Sequence, residues 1–429
     1  MRTAAISIFV AVNLCSAADF SGDWVAEVSA RGVESQYARV HIGITGATLA
    51  GTWNQSQLEG SASGEHVSLM LTRSGSRIAI LTGAASGNSL LGEGQMMTGG
   101  RGGGGQMEKV AWKLTRPAQR PAGAPRTIAF EPKEFHGYYA ASIPPALHIF
   151  PGDTVSTRTY DGSGRDADKR TPGGNLENGP FYVEGALPGD TLVVKLNKVR
   201  LDRDSARQGS RINGRAVTPA YQASADYEAT FDGEYKLDRA KGVATLAHPT
   251  ARLKNFSVPI LPMIGCIATA PPGEQSYRGT DLGPFGGNMD YNQMGEGVTL
   301  YLPVYHPGAL LAMGDAHAAM GDGELTGSAL ETSVSVEFTV DIIPGIVSAG
   351  PRLENADYLM AMGIAGSVAD SIQVATTQLA EWLKKDYKLS DSEVALVLGA
   401  VAKYDITELV DPQFNVVAKV PKSALKTLQ

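Results

Sequence analysis

The stretch from Met313 to Glu331, MGDAHAAMGDGELTGSALE, places one histidine and four carboxylates among glycines and alanines. In a β-strand, side chains two residues apart share a face, so Asp315 and His317 are expected to point to the same side. The glycines around them let another backbone segment approach closely. Two such side chains would supply two of the roughly four ligands that zinc usually takes. Mixed imidazole and carboxylate ligation suits zinc or a similar transition metal.

Further ligand candidates lie elsewhere in the chain. Asp290 follows the glycine-rich turn GGNMD, and His136 lies in EFHGYY, whose aromatic residues could equally make it a packed core histidine. We predict a metal site formed by His136, Asp290, Asp315 and His317. Glu184, in YVEGALPGD, is a carboxylate that we place at the edge of this site.

Several of these groups also have a simpler structural explanation. Asp322 and Glu324 in GDGE are typical of a turn, because Asp followed by Gly is common in hairpins. We interpret Asp161, in TYDGSG, primarily as a turn residue, with a role as metal ligand as the alternative. Cys266 has apolar neighbours in LPMIGCIATAPP, where a neutral thiol is inert, so we interpret it as a core residue rather than a nucleophile.

Length and composition restrict the class of protein. A chain of 429 residues exceeds the usual size of one core, which predicts two domains, and 43% hydrophobic with 19% charged residues is ordinary globular composition. The net charge is −7 and the sequence contains no basic run. A nucleic-acid partner is therefore not expected, since it would require a lysine and arginine footprint.

The N-terminus has the pattern of a secretory signal peptide. Arg2 precedes a short apolar run from Ala4 to Leu14, and small residues follow around Ala17. The run is too short to span a bilayer, so we predict a signal peptide over residues 1–18 and a secreted or periplasmic protein without a transmembrane segment. The alternative is a lipoprotein lipidated at Cys15, but Asn13 and Leu14 are poor neighbours for that modification.

Short alternating apolar runs separated by Gly, Ser or Asn follow the signal, which is typical of antiparallel strands. We predict a small β-sandwich or barrel over residues 19–116. The glycine run Thr98 to Gln106 is expected to be a hairpin loop, because ordering many glycines costs much entropy. The Pro-rich segment 117–127 predicts a semi-rigid linker.

The remaining residues, 128–429, predict a larger β domain with helices at its end. Pro-Gly-Asp-Thr occurs at Pro151 and again at Pro188, each time before a β-branched run, which indicates a repeated turn and strand. Helical periodicity spans residues 356–387, and Ser390 with Glu393 predicts a capping box for a second helix to about Tyr404. The fold class is therefore α+β and predominantly β, with a sandwich-like second domain.

Motifs in this second domain resemble the acetamidase/formamidase family. They are GPFYVEGALPGDTL, PMIGCIATAPP, GPFGGNMD and LYLPVYHPGALLAMGDAHAAMGDGE, in that order, within a resemblance running from about Phe135 to Glu408. One departure is Met320, where the family more often has Gln. The resemblance implies hydrolysis of the C–N bond of a small linear amide of the formamide or acetamide class, a bound divalent metal with zinc as the first candidate, and a homo-oligomer.

Under this interpretation, a carboxylate beside the metal, Glu184 or Glu324, is expected to take a proton from water and give it to the leaving nitrogen. The alternative is a binding or cell-surface protein on the same scaffold without turnover. A stoichiometric metal would favour the enzyme over this alternative.

Overall fold

The protein is described by a computed structural model for residues 19–32, 34–98, 106–167, 174–228, 231–346, 349–426 and 428. The predicted signal peptide with Cys15, and the glycine run 99–105, lie outside these residues. The chain divides into two compact units, Met1–Gln119 and Arg120–Gln429. Within the described part of the chain, no helix is both long and apolar enough to cross a membrane.

The first unit is a closed barrel of eight antiparallel strands, each paired with the next in sequence, and the last paired with the first. Alternate residues face the interior, as their period-2 pattern predicts. The strands are β1 (Gly22–Ala30), β2 (Gln36–Thr45), β3 (Thr48–Trp53), β4 (Ser56–Ser63), β5 (His66–Arg73), β6 (Ser76–Ser86), β7 (Ser89–Thr98) and β8 (Gln106–Thr115).

Tryptophan fills part of the barrel interior, and glycine makes room for it. Trp112 on β8 pairs with Gly92 on β7 and is 3% exposed. A Cβ atom added at Gly92 would lie 2.6 Å from the Trp112 ring. The glycines of these strands are therefore a packing requirement of the barrel.

The second unit contains two large sheets and two small ones. A nine-stranded sheet has the order β28-β29-β27-β26-β23-β14-β25-β12-β9 and a six-stranded sheet the order β11-β13-β24-β19-β22-β21. The strands are β9 (Thr127–Ala129), β10 (Tyr138–Ala140), β11 (Leu147–Ile149), β12 (Thr154–Arg158), β13 (Glu177–Val183), β14 (Thr191–Leu201), β15 (Ser205–Arg207), β16 (Glu234–Asp238), β17 (Val243–Leu246), β18 (Ser257–Pro259), β19 (Met263–Ala268), β20 (Ser276–Arg278), β21 (Leu282–Gly283), β22 (Gly286–Asn288), β23 (Thr299–Pro303), β24 (Leu311–His317), β25 (Val334–Ile343), β26 (Arg352–Glu354), β27 (Tyr358–Ala365), β28 (Lys403–Glu408) and β29 (Phe414–Pro421).

The two large sheets share one hydrophobic core. Phe181 on β13 of the six-stranded sheet packs edge to face against Phe338 on β25 of the nine-stranded sheet, with ring centroids 5.2 Å apart. Both rings are fully buried. This packing makes the second unit sandwich-like, and the small sheets β10-β20 and β15-β16-β17-β18 lie beside it.

The two Pro-Gly-Asp-Thr sequences form the same turn. Gly152 and Gly189 have φ angles of 86° and 90°, which a turn of type II requires after proline. In each turn the aspartate, Asp153 or Asp190, accepts a hydrogen bond from the backbone N–H three residues earlier. The following threonines begin β12 and β14, which flank β25 on either side.

The helices are α1 (Pro219–Ser224), α2 (Val368–Tyr387), α3 (Asp391–Val401) and α4 (Lys422–Leu425). The capping box of Ser390 and Glu393 forms as predicted. The helical prediction from residue 356 is wrong for its first part, because YLMAMGIA is strand β27. That strand is buried on both faces, so its continuous apolar run lacks the alternation that identifies an exposed strand.

The predicted fold class is confirmed: the protein is mostly β, with a small antiparallel barrel first and helices at the end. From Arg120 onwards, the Pro-rich segment predicted as a linker contacts the second unit. Arg120 and Arg126 both form ion pairs with the buried Asp153, at 2.7 and 2.6 Å. Burial opposes ionisation of Asp153, but hydrogen bonds from Arg126 and Arg120 outweigh it and hold its pKa well below the usual value.

We expect Asp153→Asn to lower the free energy of unfolding at pH 7 by about 1.5–3 kcal/mol, the usual contribution of hydrogen bonds to a charged group. Because the folded-state pKa is depressed, the carboxylate adds stability above its unfolded pKa of about 4 and loses it as the pH falls further. Urea unfolding should show a constant difference at neutral pH that shrinks below about pH 4. The variant Asp238→Asn, at the half-exposed end of β16, should change little. Equal stability of Asp153→Asn and the native protein at pH 7 would contradict the expectation.

Candidate active site

Strand β24 carries the predicted pair Asp315 and His317 and lies inside the six-stranded sheet, between β13 and β19. All seven of its residues are buried. Asp315 has a left-handed φ of 54°, which interrupts regular strand geometry opposite Gly265 of β19. The side chains of Asp315 and His317 nevertheless meet, with His317 Nε2 3.2 Å from Asp315 Oδ1.

His317 is the centre of a buried acidic cluster and has no exposed surface. Its Nε2 atom lies 3.3 Å from Glu331 Oε1 and 3.9 Å from Glu324 Oε1. Its Nδ1 atom lies 3.8 Å from Asp290 Oδ1. Four carboxylates from separate parts of the chain therefore surround one imidazole. These five residues form the His317 cluster.

Three members of the His317 cluster have left-handed backbones. Asp290, Asp315 and Glu324 have φ angles of 37°, 54° and 44°. A residue other than glycine rarely adopts this region, and such strain costs of order 1–3 kcal/mol per residue. Strained residues persist at functional sites where the surrounding structure fixes them. The strain supports a functional role for these three carboxylates.

Glu331 belongs to the cluster although the sequence gives no spacing that would find it. The chain leaves β24, makes the loop containing Glu324, and returns so that Glu331 forms a bridge opposite His317. Glu331 also accepts hydrogen bonds from the N–H groups of Gly162 and Ala329, at 2.9 and 3.1 Å. These bonds hold its carboxylate beside the imidazole.

Glu408 and Asp411 extend the cluster from the nine-stranded sheet. Oxygens of Asp290, Glu408 and Asp411 lie within 4.8 Å of one another. Glu408 ends β28, and Gly323 of the loop donates a hydrogen bond to the neighbouring Thr407 carbonyl. The loop with Glu324 is thus attached to the second large sheet. Sequence analysis missed both acids, because tertiary structure alone brings the end of β28 here.

The residues fit a divalent cation. Both ring nitrogens of His317, both carboxylate oxygens of Asp290 and Oδ1 of Asp315 are buried without a hydrogen-bond partner. Buried polar atoms are normally paired, and buried charges need a partner of opposite sign or a metal. Two sets of ligand atoms lie within 4.8 Å, namely Asp290, Asp315 and His317, and His317, Glu324 and Glu331.

The charges within the cluster shift its titration. Burial, and then the charge of Asp315, raises the pKa of Asp290 well above its usual value. Burial, and then the charge of Asp290, raises the pKa of Glu324 well above its usual value. Burial alone would lower the pKa of His317, but the charges of Glu331 and Asp315 outweigh it and raise that pKa. A cation would favour the ionised carboxylates and reverse the shifts of Asp290 and Glu324.

Glycines leave the space that these carboxylates occupy. A Cβ atom at Gly265 would overlap Asp290 Oδ1 and lie 3.0 Å from Asp315 Oδ2. A Cβ atom at Gly162 would lie 2.6 Å from Asp315 Oδ1. The glycines therefore make room for carboxylates as well as for the neighbouring backbone.

The structure brings together Asp290, Asp315, His317 and Glu324 of the predicted site residues. Glu184 lies elsewhere, with its Oε1 atom 2.6 Å from His148 Nδ1. His136 is half-buried and pairs by its backbone with Glu177 at the start of β13. Neither Glu184 nor His136 belongs to a described group of possible metal ligands. Asp161 accepts hydrogen bonds within its own turn and pairs with Arg203, which agrees with a structural role.

Cys266 is buried, as predicted, but its surroundings are polar. Its thiol donates to Asn288 Oδ1 at 2.7 Å and lies 3.9 Å from Asp315 Oδ2. Burial, and then the charge of Glu177, raises the pKa of this thiol well above its usual value. The thiol is therefore neutral, which argues against a nucleophilic role. Asn175 donates to the same Asn288 oxygen at 3.1 Å and to Asp315 at 3.4 Å, so these side chains orient Asp315.

A cavity of about 520 Å³ opens beside the cluster. Glu324 lies in its wall, together with Met320 and Asp322 from the same loop. A substrate bound in this cavity could therefore reach Glu324, a member of the His317 cluster.

Part of the second unit matches a known protein family, and its fold resembles solved structures. Residues 274–356, which contain all five members of the His317 cluster, match the model of the Acetamidase/Formamidase family. The acetamidase structure from Bacillus halodurans is 25% identical with a TM-score of 0.59, and covers 70% of this chain and 99% of its own. The chain is therefore similar to the acetamidase/formamidase family in both sequence and fold. The acetamidase structure from Yersinia enterocolitica is 28% identical with a TM-score of 0.60, over 71% of this chain and 94% of its own.

An acetamidase of Mycolicibacterium smegmatis is 35% identical over 220 residues. The match covers 40% of this chain and 54% of that protein, so this chain spans about half the length of that relative. The predicted enzyme class, a hydrolase of carbon–nitrogen bonds in linear amides, is confirmed. This similarity to amidases extends over the His317 cluster, which lies within the matched residues 274–356.

If zinc binds at this cluster, Gly265→Ala should weaken its binding by at least about tenfold, because the added methyl group displaces Asp290 and Asp315. Zinc affinity, measured by competition with a chromogenic chelator, checks this result. Gly366→Ala is the matched control, since nothing lies within 4 Å of a Cβ atom there and its φ is not positive. Native zinc affinity in Gly265→Ala would show that the two carboxylates do not hold the metal.

Proposed function

We propose that the protein hydrolyses the C–N bond of a small linear amide, using water activated at a divalent metal within the His317 cluster. The observation that supports this proposal is the convergence of unpaired buried carboxylate oxygens and imidazole nitrogens beside a cavity. The similarity of the chain to formamidases and acetamidases also supports the proposal.

His317, Asp290 and Asp315 would hold the metal, with Glu331 beside them. A neutral imidazole nitrogen and carboxylate oxygens suit zinc, our first candidate, and its chemistry would be to polarise the amide oxygen and lower the pKa of water. The N–H groups that bind Glu331, and the amide of Asn175 that contacts Asp315, fix the orientation of these carboxylates. Such supporting contacts typically affect metal affinity and activity by about 10–100-fold.

Glu324 is the carboxylate placed to transfer the proton. It lies in the cavity wall, and its Oε1 atom is 3.9 Å from His317 Nε2, so this residue borders both the cavity and the metal-ligand groups. As water attacks the carbonyl carbon, Glu324 accepts its proton and gives it to the departing nitrogen. The C–N bond breaks, and a carboxylic acid and ammonia result.

Glu184 is less suited to this role than Glu324. Its carboxylate pairs with the half-exposed ring of His148, and it is absent from the described walls of the cavity. A catalytic base must reach the proton that it takes. The position of Glu184 therefore favours a structural ion pair.

We expect metal-replete protein to release ammonia from formamide or acetamide, and dialysis against a chelator to abolish this activity, which zinc should restore. His317→Ala should lose bound metal and at least about 100-fold in kcat/KM, because it removes the central ligand. Elemental analysis and an ammonia assay measure both effects.

Glu184→Gln is the control for this experiment and should retain both metal and turnover. Folded, metal-replete protein that releases no ammonia from a panel of small amides would contradict the proposed function. Full metal and full turnover in His317→Ala would instead show that the metal lies elsewhere.

We further propose that residues 1–18 direct export and are removed. The supporting features are Arg2, the apolar run from Ala4 to Leu14 and the small residues that follow. In a bacterial host, the full chain should appear in the periplasm or medium with an N-terminus at Ala18 or Asp19, which N-terminal sequencing determines. An unprocessed cytoplasmic chain would contradict cleavage, and a lipidated N-terminus at Cys15 would establish the lipoprotein alternative. Assembly into a homo-oligomer stays a prediction.

A further inference from the structure

We infer that the cavity beside Glu324 binds an apolar acyl chain, so that the preferred substrate is a primary amide of a medium-length carboxylic acid. This inference rests on the proposed function and names the substrate class of the same site. It is based on the size of the cavity, the apolar character of its wall and its contact with a member of the His317 cluster.

The volume of the cavity exceeds what formamide or acetamide requires. At about 520 Å³ it falls within the range of about 300–1,000 Å³ that holds drug-sized ligands. Formamide and acetamide have only a few non-hydrogen atoms, so they would leave most of this space filled with water. A longer acyl chain would occupy it and displace that water.

The wall of the cavity is largely apolar, and two parts of the chain supply it. Phe256, Val258 and Leu261 come from β18 and its flanking residues, and Met320 and Leu325 come from the loop after β24. Phe256, Leu261 and Leu325 are each more than 40% exposed, and all three lie in the wall of this one cavity. An apolar ligand between these two segments would remove that surface from water.

Polar groups are present where the amide end of such a substrate would lie. Glu324 belongs to both the wall and the cluster, and Asp322 beside it accepts a hydrogen bond of 2.7 Å from Asn292. A primary amide has a polar head and an apolar tail. With its head at Glu324, its acyl chain would extend toward Val258 and Leu261 in the same wall.

The experiment measures how binding depends on chain length in the purified, metal-replete protein. Acetone, 2-pentanone and 2-heptanone have the chain lengths of acetamide, butyramide and hexanamide, with a methyl group in place of the amide nitrogen, so they cannot be hydrolysed. Calorimetry should give a Kd that falls by roughly fourfold for each added methylene, the effect of burying one such group. The kcat/KM for ammonia release should rise from acetamide to hexanamide.

Two variants test whether the chain lies in this cavity. Val258→Trp fills the space and should flatten the dependence on chain length, and Phe256→Ser, at an exposed position, should weaken it by removing apolar surface. Val374→Trp, on the exposed face of α2, is the matched control and should leave the dependence unchanged.

The outcomes separate this inference from the proposed function. Equal affinity for all three ketones, or a dependence unaffected by both cavity variants, would overturn the inference even if acetamide is hydrolysed. A steep dependence that both variants reduce, in a protein that hydrolyses no amide, would support the apolar chain site and contradict the proposed function.

Discussion

The burial of several carboxylates around His317 is the constraint on which the rest of the second unit depends. Removing charged groups from water is unfavourable unless a group of opposite charge compensates them. Among the described residues, His317 is the basic side chain in salt-bridge contact with these acids. Left-handed backbones at Asp290, Asp315 and Glu324 add to this cost. The large core shared by the two sheets must offset both the cost of burying the carboxylates and the cost of the strained backbones. A bound metal would reduce the cost of burying the carboxylates.

Each large sheet contributes a different part of this arrangement. The six-stranded sheet supplies Asp315 and His317 from one buried strand, which pairs with a neighbouring strand on each side. The nine-stranded sheet supplies Glu408 from β28, which also holds the loop of Glu324 through the Thr407 carbonyl. Since the two sheets are packed as a sandwich, the spacing of the acids follows from the packing of the core. A functional site built this way tolerates little change in that packing.

Periodicity, turn residues and helix-capping residues predict those features of the protein that depend on neighbours in sequence. Period-2 alternation predicted a small antiparallel domain, as either a sandwich or a barrel. Proline and glycine predicted the two Pro-Gly-Asp turns, and Ser390 with Glu393 predicted the start of α3. Asp315 and His317 were paired by strand geometry, and they do meet, although Asp315 leaves the regular strand conformation. Strand β27 was mistaken for helix because burial on both faces removes the periodicity that distinguishes the two structures.

Those parts of the site that depend on tertiary structure were beyond sequence analysis. Glu331 and Glu408 have no motif of their own, and a loop and a distant strand bring them to His317. Glu184 lies in a motif of the family yet pairs with His148, because the end of β13 faces β11 there.

Different parts of the second unit determine the chemistry and the choice of substrate. Buried backbone fixes the acids around His317, whereas exposed side chains of β18 and a loop line the cavity, so the acyl group accepted can vary without disturbing the cluster.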